Sequence, residues 1–292
     1  MRRGGTRFTA PPSGPWALES RESPRATARQ LVRFGYDGPA FHGWARQPGR
    51  RTVEGEVRRG LARFGIAPPP AFGRLEAASR TDKGVSARGN ALAVSTNFSP
   101  AAALRALNGI DPAIWFTAAR TIPDEFRVRG AVRRSYRYFE PPDGRRHERE
   151  GAAAALFAGS IDVRSLGRSI PRDVPVRRPI ESVTILPSPD GGRTIEVRAP
   201  SFVWGEVRKI VAALREVDAG RLSVARLRAA LAGEIRLTLP TVPPEPLVLW
   251  NVEYAEPWTH VWRGPNRKQR VHFTEERARW WSRSQWLEDL GP

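Results

Sequence analysis

Short alternating segments and longer segments with helical spacing follow one another between residues 29 and 256. In the first part of this region, β-branched and aromatic residues predict strands at 30–36, 72–78, 90–96 and 112–118. A helix over 52–64 is predicted because apolar residues recur every three or four positions, at Val53, Val57, Leu61 and Phe64. Ser99 before Pro100 is typical of a helix N-terminus, so a second helix is expected to begin there.

The second part begins with AVRRSYRYFE at residue 131, which alternates as a strand does. One face would carry Val132, Arg134, Tyr136 and Tyr138, and the other Arg133, Ser135, Arg137 and Phe139. Strands are also predicted at 180–186, 193–199 and 247–254, the first two joined by a PSPDGG turn. An apolar helical stripe precedes the last of these strands, formed by Val203, Val207, Ile210, Val211, Leu214 and Val217.

Each part therefore reads as strand, helix, two strands, helix and strand. This order predicts an α/β (α+β) fold of two pseudo-repeated halves, with mixed or antiparallel sheets side by side and a central basic cleft. The predicted boundaries are a flexible basic arm at 1–28, halves at 29–130 and 131–256, and a tryptophan-rich extension at 257–292. The tryptophans of the extension would either pack it onto the core or stack on bases, and packing is the expectation.

The net charge of the chain indicates which class of molecule it binds. The 292 residues carry 48 Lys and Arg against 30 Asp and Glu, a net charge of +18, and all the basic residues but Lys83, Lys209 and Lys268 are arginine. A genome rich in arginine codons would explain arginine over lysine, but it would not explain the sign of the charge. Because the guanidinium fork matches phosphate, the excess favours nucleic acid as partner.

Composition also argues against several classes of protein. The chain has no cysteine, and its four histidines have no metal-ligand spacing, so no metal or cofactor is expected. No segment reads as a signal peptide or a membrane span, which predicts a cytoplasmic protein that does not bind membranes.

The stretch SRTDKGVSARG at 79–89 surrounds one carboxylate with turn-forming residues. Asp82 is flanked by Arg80 before it and by Lys83 and Gly84 after it, in a connection between two predicted strands. Taken alone, the stretch is either an ordinary charged loop or a site. Neighbouring cations favour the ionised form of the carboxylate, so Asp82 would serve as a nucleophile or base rather than as an acid.

Three further stretches of the chain, taken in order with the one around Asp82, match the motifs of a known family. GYDGPAFHGWARQPGRRTVEGEV (35–57), RTDKGVSARG (80–89), RRSYRYF (133–139) and SFVWGEVRKIVAALREV (201–217) together closely resemble the tRNA pseudouridine synthase A family. The family pattern has Y-D-G-x-x-F-x-G-W-Q, R-T-D-x-G-V-x-A, a K/R-x-Y-x-Y strand and an F-L-x-x-M-V-R helix. The resemblance covers about residues 30–256 and leaves both tails unexplained.

The resemblance implies conversion of uridine to pseudouridine in tRNA, without a cofactor, at positions 38–40 of the anticodon stem-loop. Asp82 matches the catalytic aspartate, which either attacks the sugar or removes a proton to give a glycal. Tyr136 matches the tyrosine that stacks on the uracil, and Arg208 the arginine that pairs with the aspartate. Arg80 matches the arginine that fills the vacated base stack, and Lys83 and Lys209 are further candidates for RNA contact.

This sequence departs from the family pattern at three positions. Ala45 stands where the family often has Gln, Ser86 where many members have His, and Lys209 where Asn is usual. These departures bear on which uridine is modified. A homodimer is expected by analogy with bacterial members. Two alternatives stay open: an RNA-binding module without activity, and a hydrolase that uses the aspartate differently.

Overall fold

The computed structural model describes residues 27–66, 75–143, 147, 149–170, 172–262 and 264–288. All but the last two residues of the predicted arm at 1–28 lie outside the described residues. The strands are β1 Ala28–Tyr36, β2 Ser86–Thr96, β3 Ile114–Thr121, β4 Arg133–Glu140, β5 Gly159–Asp162, β6 Arg177–Ile180, β7 Ser182–Pro187, β8 Arg193–Ala199, β9 Leu247–Glu253 and β10 His260–Val261. The helices are α1 Val53–Arg63, α2 Pro100–Leu107, α3 Glu150–Ala155, α4 Glu206–Asp218, α5 Val224–Ala232 and α6 Arg267–Glu288.

Eight strands form one sheet in the order β10-β3-β1-β2-β9-β4-β8-β7, and β5 and β6 form a separate pair. Neighbouring strands of the large sheet run antiparallel except β2 and β9, which run parallel. That parallel contact joins the first part of the chain to the second, and it consists of Ser86 opposite Val248 and Ala87 opposite Leu249. We call these two residue pairs the seam. The mixed α/β class expected from the sequence is confirmed, and the two expected sheets are one continuous sheet.

Most predicted strands and both helix predictions of the first part agree with the structure to within a few residues. The strand predicted at 72–78 is wrong over its described residues, 75–78, where only Ala77 forms an isolated bridge, opposite Leu92. The stripe predicted from Val203 begins later, because Gly205 adopts a left-handed φ of 79° and caps a helix that starts at Glu206. The periodic patterns missed α3, α5, α6 and the short strands β5, β6 and β10.

The alternation predicted for β4 holds in part. Arg134, Tyr136 and Tyr138 are buried and Phe139 on the other face is exposed, but Ser135 on that face is buried and Val132, before the strand, is exposed. In the first half, strand and loop aromatics form a fully buried cluster that includes Trp44. Its other members are Phe34, Tyr36, Phe41 and Phe116.

The C-terminal extension packs on the first half, but only partly through tryptophan. Trp258 and Trp262 lie against the core next to β10, the short strand that pairs with β3. In α6 the main anchor is Gln269, which is fully buried and donates to Asn108 Oδ1 at 2.9 Å and to the carbonyl of Ile114 at 3.0 Å. Trp280 and Trp281 are instead exposed, and the side chain of Trp286 lies outside the described residues.

Candidate active site

Asp82 lies on a short loop that leads into β2. The loop is tied to the first half on its N-terminal side, where the Thr81 carbonyl accepts from the backbone N–H of Trp44 at 3.1 Å and the Thr81 hydroxyl lies 2.7 Å from the Tyr36 hydroxyl. On the other side, Val85 N–H donates to the Asp82 carbonyl at 3.2 Å, and Gly84 takes a left-handed φ of 85°. Both ends of the turn are thus fixed to buried residues, which sets the position of the Asp82 carboxylate.

Gly43 allows this loop to approach the first half closely. Its φ is 85°, and a Cβ there would lie 3.0 Å from the backbone nitrogen of Lys83. A side chain at residue 43 would therefore press directly on the backbone beside Asp82. This contact explains in physical terms why a glycine follows His42 in the stretch AFHGW.

Arg134 of β4 connects the second half to the loop that carries Asp82. Its guanidinium is buried and donates to the carbonyl of Ala78 at 3.0 Å and to Ser79 Oγ at 3.1 Å. It also donates to the carbonyls of Arg129, at 2.8 Å, and of Pro200. One side chain thus ties three separate segments together behind the aspartate.

Two residues at the start of α4 contact the Asp82 carboxylate. The indole N–H of Trp204 donates to Asp82 Oδ1 at 2.8 Å. Arg208 Nη1 lies 3.5 Å from Asp82 Oδ2, while Arg208 Nε donates to the carbonyl of Val242 at 2.7 Å. The pairing of Asp82 with Arg208 predicted by the resemblance is present, although the bond from Trp204 is the shorter one.

Tyr136 of β4 faces the same space as Asp82. It is 8% exposed, and the ring of Phe202 meets its ring edge-on at a centroid distance of 5.3 Å. Burial raises the pKa of Tyr136 to about 12, against a smaller lowering by the Ser79 hydroxyl and Arg134. At neutral pH the phenol therefore keeps its proton.

These groups line an open cleft of about 770 Å³ to which both halves contribute. Its cationic side chains outnumber its carboxyl groups, and aromatic rings lie among them. The cations are Arg80, Lys83, Arg129, Arg134 and Arg208; the carboxyl groups are Asp82 and Glu206; the rings include Trp44, Tyr136, Phe202 and Trp204. A basic, aromatic-lined cleft fits a nucleic acid whose bases leave the stack.

The three predicted RNA contacts lie in different places. Arg80 and Lys83 are exposed and line the cleft on either side of Asp82. Lys209 does not line it, because its ammonium group turns toward the carbonyls of Ser165 and Gly167, at 3.3 and 3.4 Å. Lys209 therefore stabilises the loop that follows β5, and it does not contribute a side chain to the cleft.

Glu206 is a second carboxyl group at the cleft, and it is 1% exposed. Its Oε2 accepts from the backbone N–H of Val203 at 2.7 Å, whereas its Oε1 has no hydrogen-bond partner among the described residues. Burial raises the pKa of Glu206 to about 7, against a lowering by that backbone bond and by Arg178. Glu206 is therefore about half protonated at pH 7, whereas a carboxyl group in water is ionised there.

Side chains of the metal-ligating type gather outside the cleft. Atoms of His147, Glu150 and Asp218 lie within 4.8 Å of one another, a grouping that the sequence spacing of the histidines did not reveal. His147 bonds to Asp218 at 2.8 Å, and Glu150 pairs with Arg193 at 3.1 Å. These groups thus neutralise one another.

The arrangement around Asp82 can orient one carboxylate toward an electrophilic carbon in an anionic polymer. The predicted catalytic residues Asp82, Tyr136 and Arg208 come together at the cleft. Sequence reasoning missed the roles of Trp204 and Arg134. Arg134 could have been found from its place on the face that also carries Tyr136, whereas a tryptophan between Val203 and Gly205 gives no signal of a polar contact.

Among the described residues, no helix is both long and apolar enough to cross a bilayer.

Comparison with known proteins agrees with the motifs. A family model described as tRNA pseudouridine synthase matches residues 153–255. The protein named tRNA pseudouridine synthase A from Thermococcus kodakarensis is 37% identical over 225 residues, which cover 76% of this chain and 84% of the relative. Its namesake in Pyrococcus abyssi is 37% identical over 77% of this chain and 84% of the relative. In Thermococcus sibiricus the protein of that name is 33% identical over 89% and 98%. With this identity over most of both sequences, the chain belongs to the tRNA pseudouridine synthase A family.

Proposed function

We propose that the protein is an isomerase that converts uridine to pseudouridine in tRNA, with Asp82 as the catalytic carboxylate. The observation that carries the proposal is the meeting of Asp82, Arg208 and Tyr136 in one basic cleft, although they lie on three separate stretches of the chain. Family membership supports the reaction type, and the geometry supports the assignment of the residues.

The reaction breaks the N1–C1′ bond of uridine and forms a C5–C1′ bond, so no atoms are gained or lost overall. Asp82 would either attack C1′, giving a sugar ester that the rotated uracil displaces, or take the C2′ proton, giving a glycal that regains this proton at C2′ as C5 bonds to C1′. After the new bond forms, the C5 proton leaves and N1 gains a proton. Both routes use the carboxylate form of Asp82, and the guanidinium of Arg208 lies 3.5 Å from Oδ2 on one side of it.

Tyr136 would contact the uracil as a neutral phenol. Its pKa of about 12 leaves negligible phenolate at neutral pH, so its ring and its O–H group act rather than its anion. The edge-on contact with Phe202 holds the ring in place beside the cleft.

The cations around Asp82 would bind tRNA phosphates and keep the extruded uridine in the cleft. Arg80 and Lys83 are exposed on the loop itself and are the proposed contacts. By the family pattern, Arg80 would also fill the space left by the flipped base, and Lys209 stays a candidate through the loop it supports. We propose positions 38–40 of the anticodon stem-loop as targets, a homodimer as the assembly and the cytoplasm as the location, all from the family pattern.

The test uses unmodified tRNA transcripts and maps new pseudouridines by position. The wild type should form pseudouridine at positions 38–40, and Asp82→Asn should form none, because an amide can neither attack C1′ nor accept the proton. Binding should persist in the variant, since phosphate contacts supply most of the affinity. Asp124→Asn is the control, because Asp124 is exposed and does not line the cleft.

Each result has a distinct meaning. Tight tRNA binding by a wild-type protein that makes no pseudouridine would favour the RNA-binding module. Pseudouridine formation by Asp82→Asn at a rate near that of the wild type would refute the role of Asp82.

A further inference from the structure

We infer that Trp204 is a positioning residue for the catalytic carboxylate, and that its indole N–H holds Asp82 in the reactive orientation. The inference rests on the proposed function and extends it to a residue that the family motif leaves unspecified. It derives from the 2.8 Å bond between Trp204 Nε1 and Asp82 Oδ1.

The two partners of Asp82 are unequal. Arg208 Nη1 stays at 3.5 Å from Oδ2, and the same guanidinium is held in place by its bond to the Val242 carbonyl at 2.7 Å. Arg208 therefore supplies charge at a distance, whereas Trp204 supplies the short directional bond. Because the Asp82 side chain is 33% exposed, burial alone does not fix its rotamer.

The backbone of Trp204 is itself anchored by the second half. Its carbonyl accepts from the backbone N–H of Arg168 at 2.8 Å, and the Arg168 guanidinium lies 5.8 Å from the indole ring centre. Gly205 follows in a left-handed conformation and turns the chain into α4. The bond from Trp204 to Asp82 thus links an anchored turn of the second half to the catalytic loop of the first.

The chemistry of the indole suits this role. Its N–H group is a donor only, so it binds a carboxylate oxygen without competing with Asp82 as a proton acceptor. It is also neutral, so it orients the carboxylate without cancelling the negative charge that attack or proton removal requires. Trp204 is 56% exposed and lines the cleft beside Asp82.

The test compares Trp204→Phe with Trp204→His in single-turnover pseudouridine formation at saturating tRNA and at pH 8. Phenylalanine keeps an aromatic ring and removes the donor. In histidine the Nε2–H group is as many bonds from Cα as the indole N–H, and the imidazole is neutral at this pH. Trp281→Phe is the matched control, because Trp281 is 67% exposed on α6 and outside the cleft.

We expect Trp204→Phe to lower the single-turnover rate by about ten- to one-hundred-fold, the worth of a hydrogen bond to a charged group. The tRNA affinity and melting temperature should stay near those of the wild type, and Trp204→His should recover a large part of the rate. This split between rate and affinity, with rescue by a donor, is not expected of a residue that only fills space.

Three results would overturn the inference: a wild-type rate in Trp204→Phe, a loss confined to tRNA affinity, or a histidine variant no faster than the phenylalanine variant. Failure of the wild type to make pseudouridine would instead refute the proposed function.

Discussion

Arg134 donates to Ser79 Oγ at 3.1 Å, so a buried cation of β4 holds the loop that presents Asp82. The contact joins the two halves on the cleft side, while the seam joins them within the sheet. Ser79 and Asp82 are three residues apart. A shift of the Arg134 side chain would therefore also move the Asp82 carboxylate.

Arg134→Ala should destabilise the protein by about 3 kcal/mol or more, because the loss of the guanidinium leaves several buried carbonyl groups without a donor. Chemical denaturation measures the change. Arg133→Ala is the matched control, since Arg133 is the preceding residue on the opposite face and pairs with Glu253 near solvent. Similar unfolding midpoints for the two variants would contradict the role assigned to Arg134.

Glu206→Gln should stabilise the protein at pH 8 and have little effect at pH 4. The pKa of Glu206 is about 7 in the folded protein against a usual 4.5, so the folded state holds a proton that the unfolded state releases between these values. Stability supplied by the wild-type side chain therefore falls as pH rises from 4.5 to 7, by up to about 3 kcal/mol in all.

Glu216→Gln serves as the comparison of opposite sign. Its hydrogen bond with Arg221 lowers the pKa of Glu216, so the glutamine variant should be the less stable protein near neutral pH. Denaturant titrations at pH 4, 6 and 8 separate the two cases. A pH-independent difference between Glu206→Gln and the wild type would show that the pKa of Glu206 is the same in the folded and unfolded states.

The rate of pseudouridine formation should not rise tenfold per pH unit between pH 7 and 9. Tyr136 has a pKa of about 12 and keeps its proton over that range, so a mechanism that uses the neutral phenol gains nothing from hydroxide. Single-turnover rates across the range test this. Tyr136→Phe should lower the rate at least about tenfold without loss of tRNA affinity, because it removes only the O–H group. A log-linear increase in the wild type that is absent from Tyr136→Phe would show instead that the phenolate reacts.

The affinity for tRNA should fall linearly on a plot of log K against log salt. Removal of one phosphate contact by Arg80→Gln should lower the slope by about 0.7–0.9. Arg59→Gln removes an equally charged side chain on α1, outside the cleft, and should leave the slope closer to that of the wild type. Identical slopes for the two variants would place the RNA elsewhere.

Hydrophobic periodicity and capping motifs in the sequence predicted those helices and strands whose local residue pattern matches their burial in the fold. β4 alternates because one face meets the core, and α2 begins at Pro100 because Ser99 caps it, accepting from Ala102 N–H at 3.4 Å. Over its described residues, the strand predicted at 72–78 is reduced to a bridge of Ala77 with Leu92, and β9 pairs with the start of β2. That pairing joins residues more than 150 positions apart, which no local pattern contains.

The same distinction holds at the site. Asp82, Tyr136 and Arg208 were found because each lies in a motif with a fixed spacing. Trp204 was missed because its contact with Asp82 depends on the left-handed Gly205 and on the anchored backbone at Arg168, which bring an otherwise apolar residue to a carboxylate.

The seam makes the two halves mechanically dependent on each other. Because their strands share one hydrogen-bonded sheet, any change of the angle between the halves must alter the twist of the strands at Ser86 and Ala87. The bond from Trp204 to Asp82 and the bond from Arg33 to Asn251, at 2.7 Å, also span the halves. Strain applied to either half is therefore transmitted to the carboxylate through the sheet itself, without a flexible linker to absorb it.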